Sequence, residues 1–148
     1  EEIFNPDTGL WQQSSVNQMC MDINPASSLS HPDNHLVYFR FLGRVLGKAL
    51  FEQQLISGHM IRHLYKHLLG WPVTFEDLEL VDQSIYKSLK DIMQDADNVE
   101  HLCLNFTVSE NFLGEIKDVP LVKNGENIDV TASNLPEYIE CRLKYQML

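Results

Sequence analysis

His35-Leu36-Val37-Tyr38-Phe39-Arg40-Phe41-Leu42-Gly43-Arg44-Val45-Leu46-Gly47-Lys48-Ala49-Leu50-Phe51-Glu52-Gln53-Gln54-Leu55 is the longest apolar-rich stretch of the chain. Wound at 3.6 residues per turn, it is apolar over most of its circumference, the pattern of a central helix that needs neighbours on most faces. Arg40, Arg44, Lys48 and Glu52 step by four and form one narrow polar row. Those charges are too many for a bilayer span. Gly43 and Gly47 share another face, where the missing side chains let a second backbone approach closely. A helix over 35–55 therefore predicts a packed globular protein.

Working outward, residues 59–69 read as a second helix, closed by Gly70 and followed by Pro72. His59, His63 and His67 fall four apart on it and raise the question of a metal. Arg62 and Lys66 share their arc, no carboxylate flanks the row, and the apolar residues lie opposite. A solvated basic face is the expectation, and neither a metal nor a cofactor is assigned. Upstream, Asn5-Pro6-Asp7-Thr8-Gly9 is turn chemistry, and the alternating runs 10–16 and 19–23 can pair as strands before a Ser-rich loop, 26–34. Downstream, 82–94 carries Ile85, Leu89, Ile92 and Met93 at helical spacing, and 102–108 alternates like a half-buried strand. Asn124-Gly125 between 119–122 and 128–130 predicts a hairpin. A last helix is expected from Asn134, capped with Glu137 in an Asn variant of the capping box.

Composition sets the outer limits. The chain has 148 residues, 11 Lys and Arg against 21 Asp and Glu, and a net charge of -10. That sign is wrong for coating nucleic acid phosphates or anionic lipid. Residues 1–74 hold 6 acids and 5 bases, whereas 75–148 hold 15 and 6, which suggests two subdomains with different surfaces. Cys20, Cys103 and Cys141 are odd in number and widely spaced, so a reducing cytosol or nucleus is the expected compartment and burial the expected state of each thiol. Glu76, Asp77 and Glu79 read as solvated surface. Without an initiator Met or a basic-then-apolar leader, the chain is expected to be a piece of something longer.

One apolar set remains open: Ile85, Leu89, Leu102, Leu104 and Tyr138. Their spacing fits either a small core beneath an acidic surface or an exposed groove. Pattern alone stops at an α+β fold.

Several runs, in order, resemble the N-terminal lobe of HECT-type E3 ubiquitin ligases. They are Asn5-Pro6-x-x-Gly9-Leu10-Trp11, Ile23-Asn24-Pro25, and His35-Leu36-x-Tyr38-Phe39-x-Phe41-x-Gly43-Arg44-x-x-Gly47-Lys48-Ala49. Leu64-Tyr65-Lys66, Asp77-Leu78 and Tyr86-x-Ser88-Leu89 follow, and the likeness closes on Asn124-Gly125-x-x-Ile128-x-Val130-Thr131-x-x-Asn134-x-x-Glu137-Tyr138. The resemblance implies a mainly helical large-subdomain portion over 1–72, a small α/β subdomain over 73–133 that binds an E2 ubiquitin-conjugating enzyme, and a helix over 134–148 returning toward the large subdomain. It implies that Ile85, Leu89, Leu102, Leu104 and Tyr138 line the E2 groove, and that Met19 and Leu113 stand where some members contact a second ubiquitin. Asp95 and Arg142 stand where some members carry aromatic residues. The family's Thr-Cys-Phe catalytic segment has no counterpart among Cys20, Cys103 and Cys141, so no catalytic residue is assigned and the thioester-forming C-lobe is expected to lie outside these residues. The parent would take ubiquitin from an E2 and pass it to substrate lysines; the alternative is a non-catalytic interaction domain with the same lobe fold. Without its neighbours, the 35–55 helix is expected to expose an apolar patch.

Overall fold

A computed structural model describes residues 4–112 and 115–147. The chain divides into two compact units, Glu1–Pro72 and Val73–Leu148, each with its own core. The architecture is α+β, with no described helix long and apolar enough to cross a membrane.

In the first unit the Asn5 side chain accepts the Asp7 N–H at 2.9 Å, and Gly9, at φ 72°, ends a 3-10 turn over Pro6–Thr8. β1 (Trp11–Gln13) pairs antiparallel with β2 (Cys20–Ile23), as the alternating runs predict. A short α1 (Ser27–Ser30) leads to α2 (His35–Phe51). Only Leu42 of α2 is buried; it joins Phe4, Leu10 and Trp11, with Phe39 and Leu46 packed alongside. α2 ends at Phe51 rather than at 55, and it is not buried within this chain: Leu36, Val37, Phe41, Leu50 and Phe51 face outward, Phe51 being 88% exposed, which is the apolar exposure expected of this helix without its neighbours. Around Gly43 and Gly47 there is open space.

The expected 59–69 helix also starts later. β3 (His59–Met60) runs parallel to β2, the Ile61 N–H donates to the Met21 carbonyl at 2.9 Å, and α3 spans Arg62–Leu69. Gly70, at φ 67°, closes α3 in the left-handed conformation that a side chain would disfavour. Only His63 and His67 therefore share a helix, and the basic-face reading fails for His63, which is buried. Its Nε2 lies 3.5 Å from Asp22 Oδ1. Burial pushes the Asp22 carboxyl above its ordinary range, opposed in part by the His63 imidazole and the Ile23 N–H.

The second unit opens on α4 (Phe75–Leu78), where Thr74 and Asp77 form a capping box. Asp77 is buried at this cap rather than solvated, which corrects its reading as surface. α5 (Gln83–Gln94) begins at Asp82, whose Oδ1 accepts the Ser84 and Ile85 N–H groups at 2.9 Å. A 3-10 segment, Ala96–Leu102, then carries the chain to β4 (Thr107–Phe112), which pairs antiparallel with β5 (Glu115–Pro120). α6 (Leu135–Met147) completes a core of Leu78, Leu89, Val99, Phe106, Val130, Leu135, Tyr138, Ile139 and Met147.

Two expectations are corrected here. Residues 102–108 are not one strand: Leu102 ends the 3-10 segment, Cys103 takes φ 49°, and pairing starts at Thr107. The hairpin does not turn at Asn124-Gly125, which instead opens a short 3-10 turn. Residues 119 and 120 pair with 108 and 107, while the segment after the turn meets the chain beside Leu104: Val130 N–H donates to the Leu104 carbonyl at 2.8 Å, and Asn105 bridges Asp129. Asn134 accepts the Thr131 N–H through Oδ1 and donates to the Asp129 carbonyl, fastening that segment to the start of α6.

Candidate functional site

The C-terminal half of α5 and the 3-10 segment after it enclose a groove of about 570 Å³. Ile92, Leu102 and Leu104 provide its apolar surface; Ser88, Asp91, Asp95, Asn98 and His101 provide the polar remainder. Positions 88, 91, 92 and 95 recur at the i, i+3, i+4, i+7 spacing of one helix face, so α5 presents them together. Its other face is core, with Leu89 only 3% exposed. The 3-10 segment is pinned by Val99, which is fully buried, and the positive φ at Cys103 reverses the chain so that Leu102 and Leu104 both reach the groove.

Of the five residues expected at this surface, the structure brings Leu102 and Leu104 to the groove. Leu102 is 53% exposed and Leu104 half-buried. Leu89 and Tyr138 are core residues, and half-buried Ile85 packs against that core. The Tyr138 ring meets Phe106 edge-on at 5.4 Å, and burial pushes its hydroxyl pKa upward against the pull of Arg142. Ile92, Ser88, Asp91, Asn98 and His101 join the site only in the structure, although the helical spacing from Ser88 to Asp95 is present in the sequence; Asp95 is the one polar lining residue that the resemblance marks. Met19 stands in the first unit, exposed just before β2; Leu113 lies outside the described residues.

No cysteine is placed as an activated thiolate, which needs a neighbouring base or cation together with access. Cys20 is half-buried in β2. Desolvation, followed by Glu137, pushes the half-buried Cys141 thiol upward. Cys103 is exposed, which corrects its expected burial, and its Sγ meets the His101 carbonyl at 3.9 Å. Among the described residues no group of three or more His, Cys, Asp or Glu could hold a metal ion.

Fold and groove define an α+β protein with an apolar, acid-rimmed cleft on its second unit. The family described as HECT-domain (ubiquitin-transferase) matches residues 1–148, and the chain belongs to that family. Over 139 residues it is 39% identical to E3 ubiquitin-protein ligase pub3 of Schizosaccharomyces pombe, covering 94% of this chain and 17% of that protein. It is 38% identical over 148 residues to E3 ubiquitin-protein ligase NEDD4 of Homo sapiens, covering 100% of this chain and 11% of that protein. The value is again 38%, over 147 residues, for human E3 ubiquitin-protein ligase HECW1, with 99% and 9% covered. The chain spans less than a fifth of the length of these relatives.

Proposed function

We propose that the second unit docks a ubiquitin-conjugating enzyme, and that the parent protein accepts ubiquitin as a thioester on a cysteine outside these residues before passing it to substrate lysines. The observation that carries this reading is the groove itself, where Leu102 and Leu104 leave apolar surface open beside a well-packed core. Such a cleft suits one inserted apolar side chain from a protein loop, the kind of buried anchor that dominates small interfaces. Family membership supports the choice of partner. The thiol environments support an acceptor elsewhere, since Cys20 and Cys141 are half-buried and burial pushes the Cys141 thiol upward. Three free cysteines also suit a reducing compartment, the cytosol or nucleus.

The test is titration of the chain with a panel of ubiquitin-conjugating enzymes, comparing Leu102→Asp with the unmodified protein. Leu102 is outside the core, so the variant should fold, as circular dichroism will report, and binding should fall at least tenfold because a carboxylate then faces the inserted apolar group. Unchanged affinity for a folded variant would remove the groove from consideration. Mixed with a ubiquitin-charged enzyme, the chain should form no adduct that dithiothreitol releases.

A further inference from the structure

The groove end of α5 holds a local electrostatic conflict. Asp91 lies in its last turn, at the negative end of the helix dipole where cations are favoured, while Asp95 is both its C-cap residue and the N-cap residue of the 3-10 segment, so the conflict falls chiefly on Asp91. The two are four residues apart on one face, a spacing at which like charges repel. The last turn contains no basic residue, and neither carboxylate is ion-paired among the described residues. Nearby Lys90 is directed to the Tyr86 ring, 5.4 Å from its centroid. The Asn98 side chain donates to Asp95 Oδ1 at 2.7 Å, which orients that carboxylate without cancelling its charge.

Both acids border the same cleft as Ile92, Leu102 and Leu104. A purely apolar occupant would strip water from two carboxylates and return nothing, and an acidic one would add repulsion. A cation beside an apolar anchor meets both halves of the cleft and relieves the conflict at the helix end. We propose that the groove selects a loop of the ubiquitin-conjugating enzyme in which a large apolar side chain is flanked by Lys or Arg, with Asp91 and Asp95 as the specificity-determining residues. This rests on the docking reading above. It also makes Asp91 a residue that favours binding at the expense of helix stability, a combination that a purely structural role would not produce.

The experiment is a double-mutant cycle on the full chain. One side is Asp91→Asn with Asp95→Asn, which keeps an oxygen acceptor for Asn98 while removing both charges. The other is a ubiquitin-conjugating enzyme with basic residues beside its docking-loop apolar residue, compared with the same enzyme carrying Ser at those bases. The expected result is a loss of about tenfold in affinity for the basic enzyme, no further loss for the neutralised one, and a weaker salt dependence. Leu102→Ala serves as control and should weaken binding of both enzymes. If Leu102→Ala changes neither, the docking reading fails. If Leu102→Ala weakens both while the Asn variant binds both as well as the original, or loses both equally, the charge-selective inference is overturned and docking stands.

Discussion

A Cβ placed on Gly125 would collide with the carbonyl oxygen of Phe106, a backbone atom that cannot step aside. That carbonyl accepts the Leu121 N–H at 2.8 Å, and the Phe106 N–H donates to the Gly125 and Ile128 carbonyls, so three segments meet at one residue that is itself 2% exposed. Gly125→Ala should therefore destabilise the second unit by about 1–3 kcal/mol, the usual cost of overpacking. Gly43 is the contrasting case, because nothing lies within 4 Å of the position its Cβ would take. Gly43→Ala should stabilise α2 in this chain by about 0.5–1 kcal/mol through helix propensity. Urea titration of both variants checks the pair, and a neutral Gly125→Ala would mean that the junction relaxes more readily than its hydrogen bonds imply. At the same scale, the site was legible only in part. Apolar spacing singles out Leu89 and Leu104 alike, since periodicity records that a side chain avoids water in one direction and not what covers it. Leu89 is covered by its own core and Leu104 is half open. Asp95 is marked in the sequence by the resemblance alone, and Asp91 by nothing, because single acids are unremarkable in a chain of net charge -10 until a cleft places them together.

α6 and β4 are joined by an exposed-edge contact with a pH signature. Desolvation, and then donation of its hydroxyl to the Glu110 carboxylate, push the Tyr145 pKa from 10.0 up to about 12. A raised phenol pKa favours the folded state while the group is neutral. That contribution is complete below pH 10 and is lost as pH rises through about 12. Alkaline titration followed by circular dichroism should show the second unit weakening across this window, and Tyr145→Phe should flatten the dependence. An identical slope in the variant would assign the alkaline loss to other groups. Helices with strong periodicity or a stop signal could be read in advance: apolar spacing marks α5 and Gly70 closes α3, whereas the four-residue α4, held by its Thr74–Asp77 capping box, is too short to show a period. Elements defined by partners could not be. His59 looks helical beside His63 and His67, yet pairing with Cys20 draws it into β3. Asn124-Gly125 signals a turn correctly but cannot say which strands flank it; the hydrogen bond from Val130 to Leu104 does that.

At the scale of the molecule, the two units differ in how much apolar surface each covers for itself. Among the described residues nine buried ones make the second core and four the first, while α2 leaves Leu36, Val37, Phe41, Leu50 and Phe51 in solvent; Leu55, Leu68 and Trp71 of the first unit are exposed as well. Burial of apolar area is the main favourable term in folding, so the smaller core implies the less stable unit. Calorimetry on the 148-residue chain should therefore resolve two transitions, the first unit melting before the second. An apolar face of this extent should also bind a hydrophobic dye in the native state and drive concentration-dependent association, because monomers rarely expose contiguous patches beyond a few hundred Å². Exchanging Leu50 and Phe51 for Glu should reduce both signals without abolishing the first transition, as neither residue belongs to the core of its unit. Gly125→Ala should lower only the second transition, which ties each melting step to its unit. A single cooperative transition from a monomer that binds no dye would instead show that the two cores fold as one and that the α2 face is satisfied within this chain.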